Sequence, residues 1–208
     1  MAVYRYGFVL AMLVVLLTFA MVAPRGGWAP VVTAALEAVT VLAALSRARV
    51  RRRLFGLTVT ASAVTIGLAV AAAFGGRYQT GVADAFAALL LVLVPVAIAS
   101  DFRRNLTVTL ESVTAAICIY IVLGLLFASL AAAVSAIAGS PYFAGRPSAD
   151  TSDYVYFSFI TLATVGYGDY VPALRVGRAL SVLEGLMGQL YLVTVVALVV
   201  GNLGLRRR

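Results

Sequence analysis

Apolar residues along this 208-residue chain do not alternate with polar ones; they run in blocks. Six blocks stand out, at 7–23, 30–45, 54–74, 82–99, 112–138 and 176–203. Each is near the ~20 residues that carry a helix across a bilayer, although the second is short. The breaks between them hold glycine, proline and charge: Pro24-Arg25-Gly26-Gly27, then 47–53, then Gly75-Gly76-Arg77, then 101–105. The pattern predicts an all-α membrane protein with six transmembrane helices. Between the last two blocks the pattern changes. Positions 139–150 are rich in Gly, Pro, Ser and Asp and read as an exposed turret. A short aromatic helix follows at about 153–161, capped by Thr151 or Ser152, with Asp153 in its first turn. It leads into Thr164-Val165-Gly166-Tyr167-Gly168-Asp169, which cannot continue as a helix. Irregular backbone between two membrane segments is tolerated only where protein buries it or it lines a wet cavity. Pro172 keeps the exit from becoming helical.

Composition supports the membrane reading: 63% of residues are hydrophobic and the mean hydropathy is +1.04. A net charge of +8 would suggest nucleic acid in a soluble protein. Here it reads as topology, because the arginines cluster in short loops. All 16 basic residues are Arg, which points to a GC-rich bacterial or archaeal genome. With the N-terminus inside, eleven arginines are cytoplasmic: Arg5, the five in 47–53, Arg103, Arg104 and Arg206 to Arg208. Five lie outside: Arg25, Arg77, Arg146, Arg175 and Arg178. The reverse orientation places the five-arginine loop outside, against the positive-inside rule. Both termini are therefore expected in the cytoplasm of a multi-pass protein of the cell inner membrane. The loop 139–172 is then expected on the outer side. Arg5, the first apolar block and Ala23 resemble a signal peptide, but the block is longer than a usual signal core, so a retained helix is expected.

The run from Thr164 to Gly168, between a short helix and a long apolar segment, is similar to the selectivity filter of the potassium-channel pore family. The resemblance covers about 112–203: outer helix, pore helix, filter and inner helix. It implies that the permeant ion is K+, held by Thr164, Val165, Gly166, Tyr167 and Gly168. One chain supplies one filter strand, so the resemblance also implies a homotetramer. The physical logic fits these residues. An ion that sheds its water needs oxygen dipoles in exchange. Glycines alternating with Val165 and Tyr167 let successive carbonyls point the same way. Gly188 falls where simple bacterial channels of this family carry a hinge glycine. Leu192, Val196 and Val200 recur on one face of the last helix, either as cavity and gate lining or as ordinary helix packing. Domain boundaries follow: a peripheral four-helix domain at 1–100, a linker at 101–111 and a pore domain at 112–208.

Two positions depart from the family. Ile160 stands where some simple bacterial channels have a glutamate, which removes a carboxyl–carboxyl contact with Asp169. Tyr156 stands where many relatives have tryptophan. Its hydroxyl either donates to Asp169 in support of the filter, or the ring simply packs. The block 82–99 lacks the arginines of a voltage sensor; its only charge is Asp84. Voltage gating of that type is not expected. Glu37 inside the second block is either functional or a protonated or Arg-paired structural residue. Glu184 is expected to support the outer pore by pairing with Arg178 or Arg175 of its own or a neighbouring chain. Arg206 to Arg208 suit anionic lipid.

There is no histidine, one cysteine (Cys118), and only eight carboxylates. No catalytic, cofactor or resident-metal constellation is written here, and no enzyme activity is expected. Nucleic acid is not an expected partner, nor is a cytoplasmic ligand-binding domain, since five residues follow Leu203. Expected partners are membrane lipid and other copies of the chain. Two rival readings share the features: a subunit of a potassium transporter, and a non-conducting regulatory membrane subunit. The complete Thr-Val-Gly-Tyr-Gly in a single loop favours the tetrameric channel over the transporter.

Overall fold

The computed structural model describes residues 6–23, 28–47, 52–74, 77–102 and 110–205. Among these residues there are seven helices: α1 (Gly7–Val22), α2 (Ala29–Arg47), α3 (Arg52–Phe74), α4 (Arg77–Phe102), α5 (Leu110–Ala138), α6 (Thr151–Leu162) and α7 (Arg175–Leu205). Five of them, α2 to α5 and α7, are long and apolar enough to cross a membrane. The sixth expected span, α1, is apolar but has 16 residues and a length of about 24 Å. The expected linker at 101–111 lies mostly outside the described residues. So do Arg5, Arg25, Arg103, Arg104 and Arg206 to Arg208.

The helices are held by small residues and apolar stripes. In α1, Val9, Leu13, Leu16 and Ala20 recur at helical spacing and are buried. This stripe faces α2, α5 and α6. The most extensive packing joins α4 to α5 of the same chain. Gly81 makes that approach possible: a Cβ there would lie 2.5 Å from the Ala136 Cβ. Pro95 inside α4 removes one helical hydrogen bond at a point flanked by the buried Val94 and Ala97. Cys118 is buried in α5, its thiol 3.9 Å from the Tyr6 carbonyl.

The short helix α6 sits at the middle of this arrangement. It touches α1, α5 and α7 and buries Tyr154, Val155, Phe157, Ser158 and Leu162. Its start differs from expectation. Asp150 is the cap, not Thr151 or Ser152. The Asp150 side chain accepts from the Asp153 N–H, and Asp153 accepts from the Asp150 N–H in return. Aspartate wins because its carboxylate both accepts the orphan N–H and meets the positive end of the helix.

Candidate functional site

Beyond α6 the backbone leaves regular structure in a specific way. Thr164, Gly166 and Gly168 have φ of 57°, 51° and 82°, whereas the intervening Val165 and Tyr167 have negative φ. The sign of φ thus alternates over five residues. Glycine reaches positive φ freely, but a β-branched threonine does so at a cost. Thr164 is held there by its N–H, which donates to Thr161 O at 3.0 Å. The next two N–H groups, of Val165 and Gly166, both donate to Ile160 O, at 2.8 and 3.1 Å. The segment is therefore bonded directly onto the last carbonyls of α6. Ile160, without a carboxylate to offer, contributes through its backbone.

The first three N–H groups of this segment are used, and its acceptors are not. Among the described residues no hydrogen bond ends on the carbonyl of Thr164, Val165, Gly166, Tyr167 or Gly168. Side chains 163–169 are exposed in the single chain, Tyr167 at 72%. A row of unpartnered carbonyls next to apolar helices is unstable unless something polar meets it.

Around this segment, hydrogen bonds cross between elements. The structure brings Tyr156 and Asp169 together. Desolvation, followed by a hydrogen bond to Asp169, raises the Tyr156 phenol above its ordinary value. Tyr170 is a partner the sequence did not reveal. Its hydroxyl donates to Asp153 Oδ1 at 2.6 Å and accepts from Arg146 Nη1 at 2.8 Å. The Arg146 guanidinium also lies 3.8 Å from the centre of the Tyr170 ring. Edge-on rings of Phe143 and Tyr156 pack against Tyr170 at 4.9 and 5.5 Å. The turret is tied down by Tyr142, whose hydroxyl donates to Gly177 O at 3.3 Å.

Glu184 does not pair with either expected arginine of its own chain. It is 2% exposed and meets the Ser158 hydroxyl, which also lies 2.6 Å from the Gly124 carbonyl. Arg178 instead donates from Nε to the Pro172 carbonyl at 3.2 Å. A buried carboxyl needs a partner nearby, and the α6 hydroxyl is closer than an arginine at the mouth of the loop. One serine therefore joins α5, α6 and α7. The small residues at the crossings explain how they come so close. A Cβ on Gly188 would lie 2.3 Å from Leu162 O, and one on Gly124 2.6 Å from the Phe159 ring. Gly188 lies within an unbroken α7, directly against the end of α6.

Leu192 and Val196 are exposed and line an open apolar groove with Val193 and Ala197. The Val200 side chain lies outside the described residues. The outward character continues along α7, where Val182, Leu186 and Leu190 are each more than half exposed.

Residues 135–203 match the model of a protein family described as "Ion channel". The match begins at the end of α5 and takes in the turret, α6, the alternating segment and most of α7. No curated protein and no solved structure matches the chain. With its apolar helices, the chain is a multi-pass membrane protein carrying an ion-channel-like region.

Proposed function

We propose that this protein is a potassium-selective channel that conducts K+ passively through a pore built by four copies of the chain. The observation that carries this reading is the backbone of 164–168. Its φ alternates in sign while its five carbonyls accept no hydrogen bond from the described residues. Alternating hand turns successive peptide planes the same way, as alternating D and L residues would, so carbonyl oxygens gather on one side of the strand. A ladder of oxygens replaces the hydration shell of a dehydrated cation. Thr-Val-Gly-Tyr-Gly is the family's potassium-filter sequence. Fourfold assembly is supported by α7, whose apolar side chains are left uncovered by its own chain.

Several finer assignments belong to the same proposal. Thr164 to Gly168 hold K+. Tyr156 and Asp169 support the filter from behind. Gly188 permits movement of α7, and Leu192, Val196 and Val200 line the inner cavity. The four peripheral helices sense no voltage, because 82–99 contains no basic residue. Six spans, cytoplasmic termini and an inner-membrane location follow from the arginine distribution.

Planar-bilayer recording of the purified protein tests the reading. We expect passive currents that reverse at the potassium equilibrium potential and are blocked by barium. Absence of current from a folded tetramer favours the non-conducting subunit. Saturating, coupled flux favours the transporter. A steep conductance–voltage curve carried by several elementary charges overturns the statement about voltage. Tyr156→Phe should speed loss of current during sustained opening; an unchanged time course removes Tyr156 from the filter support.

A further inference from the structure

The peripheral helices enclose a chamber that ion conduction does not use. It has a volume of about 570 Å³ and lies between α2, α3, α4, α5 and the turret. Three carboxylates line it: Glu37 of α2, Asp84 of α4 and Asp150, whose side chain is engaged in capping α6. Glu37 is only 4% exposed. No hydrogen bond joins it to any described residue, and no described arginine is among the lining residues. Its carboxylate therefore faces the chamber without a partner of its own.

The other polar groups point to the same kind of occupant. Thr33 and Thr65 line the chamber, but their hydroxyls donate to Ala29 O and Ala61 O of their own helices, both at 3.0 Å. Ser135 donates to Ser140 O at 3.0 Å. A hydroxyl that has spent its hydrogen offers only lone pairs. Thr33, Thr65 and Ser135 thus offer acceptors to the chamber beside the carboxyl groups of Glu37 and Asp84. Much of the remaining wall is alanine, including Ala34, Ala69, Ala83 and Ala132. No group of three or more Asp, Glu, His or Cys among the described residues can hold a metal ion. A divalent metal ion stripped of its water would need such a group. A cation with N–H donors and a short apolar body needs only the carboxylates, the lone pairs and the alanines. The volume falls within the range of small-molecule pockets.

We infer that this chamber is a binding site for a small alkylammonium ion, held by Glu37 and Asp84. Asp150 and Thr151, at the start of α6, also wall the chamber.

Titration calorimetry on the purified full chain at constant KCl, with n-butylammonium chloride as the probe, tests this. Saturable binding below about 10 mM is expected. Glu37→Gln and Asp84→Asn should each weaken it about tenfold or more while leaving elution volume and unfolding midpoint in place. Ala132→Leu, which narrows the chamber without altering charge, should weaken it as well and decides the matter if Glu37→Gln fails to fold. Tetramethylammonium, which has no N–H donor, should bind less well. Absence of saturable n-butylammonium binding overturns the inference. So does binding that neither Glu37→Gln nor Ala132→Leu weakens, or equal binding of tetramethylammonium. The readout is binding and not current, so a Gly166→Ala variant should retain it; the chamber and the conduction reading can fail independently.

Discussion

Helices α1 to α4 and the elements α5 to α7 are built from similar apolar residues but are held by different forces. In the periphery, side-chain hydroxyls bond to their own helix: Thr18 to Val14 O, Thr40 to Leu36 O, Thr60 to Leu57 O and Thr65 to Ala61 O. Within α5 to α7 several cross between elements, although Ser181 bonds to Gly177 O of its own helix. Ser158 reaches Glu184 and Gly124, Tyr191 reaches Ala116 O at 2.6 Å, Tyr142 reaches Gly177, and Tyr170 reaches Asp153. Helices joined by van der Waals packing alone tolerate small displacements. A set of cross-bonds fixes distances and directions. The difference teaches where this chain needs accuracy: in the carbonyl segment and what stands behind it, not in the bundle beside it.

The strongest way to break that contrast is at the filter glycines. Gly166→Ala meets no steric obstacle, since nothing lies within 4 Å of the added Cβ, but φ is 51° there. The cost is backbone strain of about 1–2 kcal/mol, added to every copy. We expect potassium selectivity to fall at least about tenfold, read from reversal potentials with K+ on one side and Na+ on the other. Unchanged selectivity contradicts the assignment of this segment.

A smaller effect is expected where helices cross. Gly188→Ala forces a Cβ against Leu162 O and should destabilise by about 1–3 kcal/mol. Gly67→Ala in α3, where nothing lies within 4 Å, should be neutral or stabilising by about 0.5–1 kcal/mol. Unfolding in mild detergent compares the two. Equal effects remove the distinction between pore and periphery.

Hydroxyl deletions sharpen it further. Ser158→Ala strands the buried Glu184 and should cost about 1–3 kcal/mol. Thr40→Val removes a bond within one helix from an equally buried site and should cost under about 1 kcal/mol. Thermal unfolding of both variants decides whether crossing bonds matter more.

The mildest test is at the turret. The hydrogen bond to Asp153, above all, holds the Tyr170 phenol above its ordinary value of 10.0. A raised folded value favours the protonated form. Its stabilising effect is full below pH 10.0 and is lost as pH rises through the folded value. Alkaline titration of the unfolding midpoint should show this loss in the wild type and not in Tyr170→Phe.

Much of this was legible in the chain. The apolar blocks lie within a few residues of the observed helices, because burying or lipid-facing a helix is a local compositional demand. The alternating backbone of 164–168 was readable because spaced glycines serve a local backbone need. Asp150 was missed although its signal was present: an acidic residue three before Asp153 is a capping pattern in its own right. Glu184 was assigned to arginines nearby in sequence. Its partner within the chain, Ser158, lies 26 positions away, and no local pattern points across that distance.

By itself the sequence determined the apolar helices, the glycine spacing of 164–168 and the arginine asymmetry, since each depends on near neighbours or on composition. Only the tertiary structure decided that Ser158 joins three helices, that Gly188 lies against the end of α6, and that Glu37 and Asp84 share one chamber. Those facts depend on which distant side chains meet, and meeting is a property of packed surfaces.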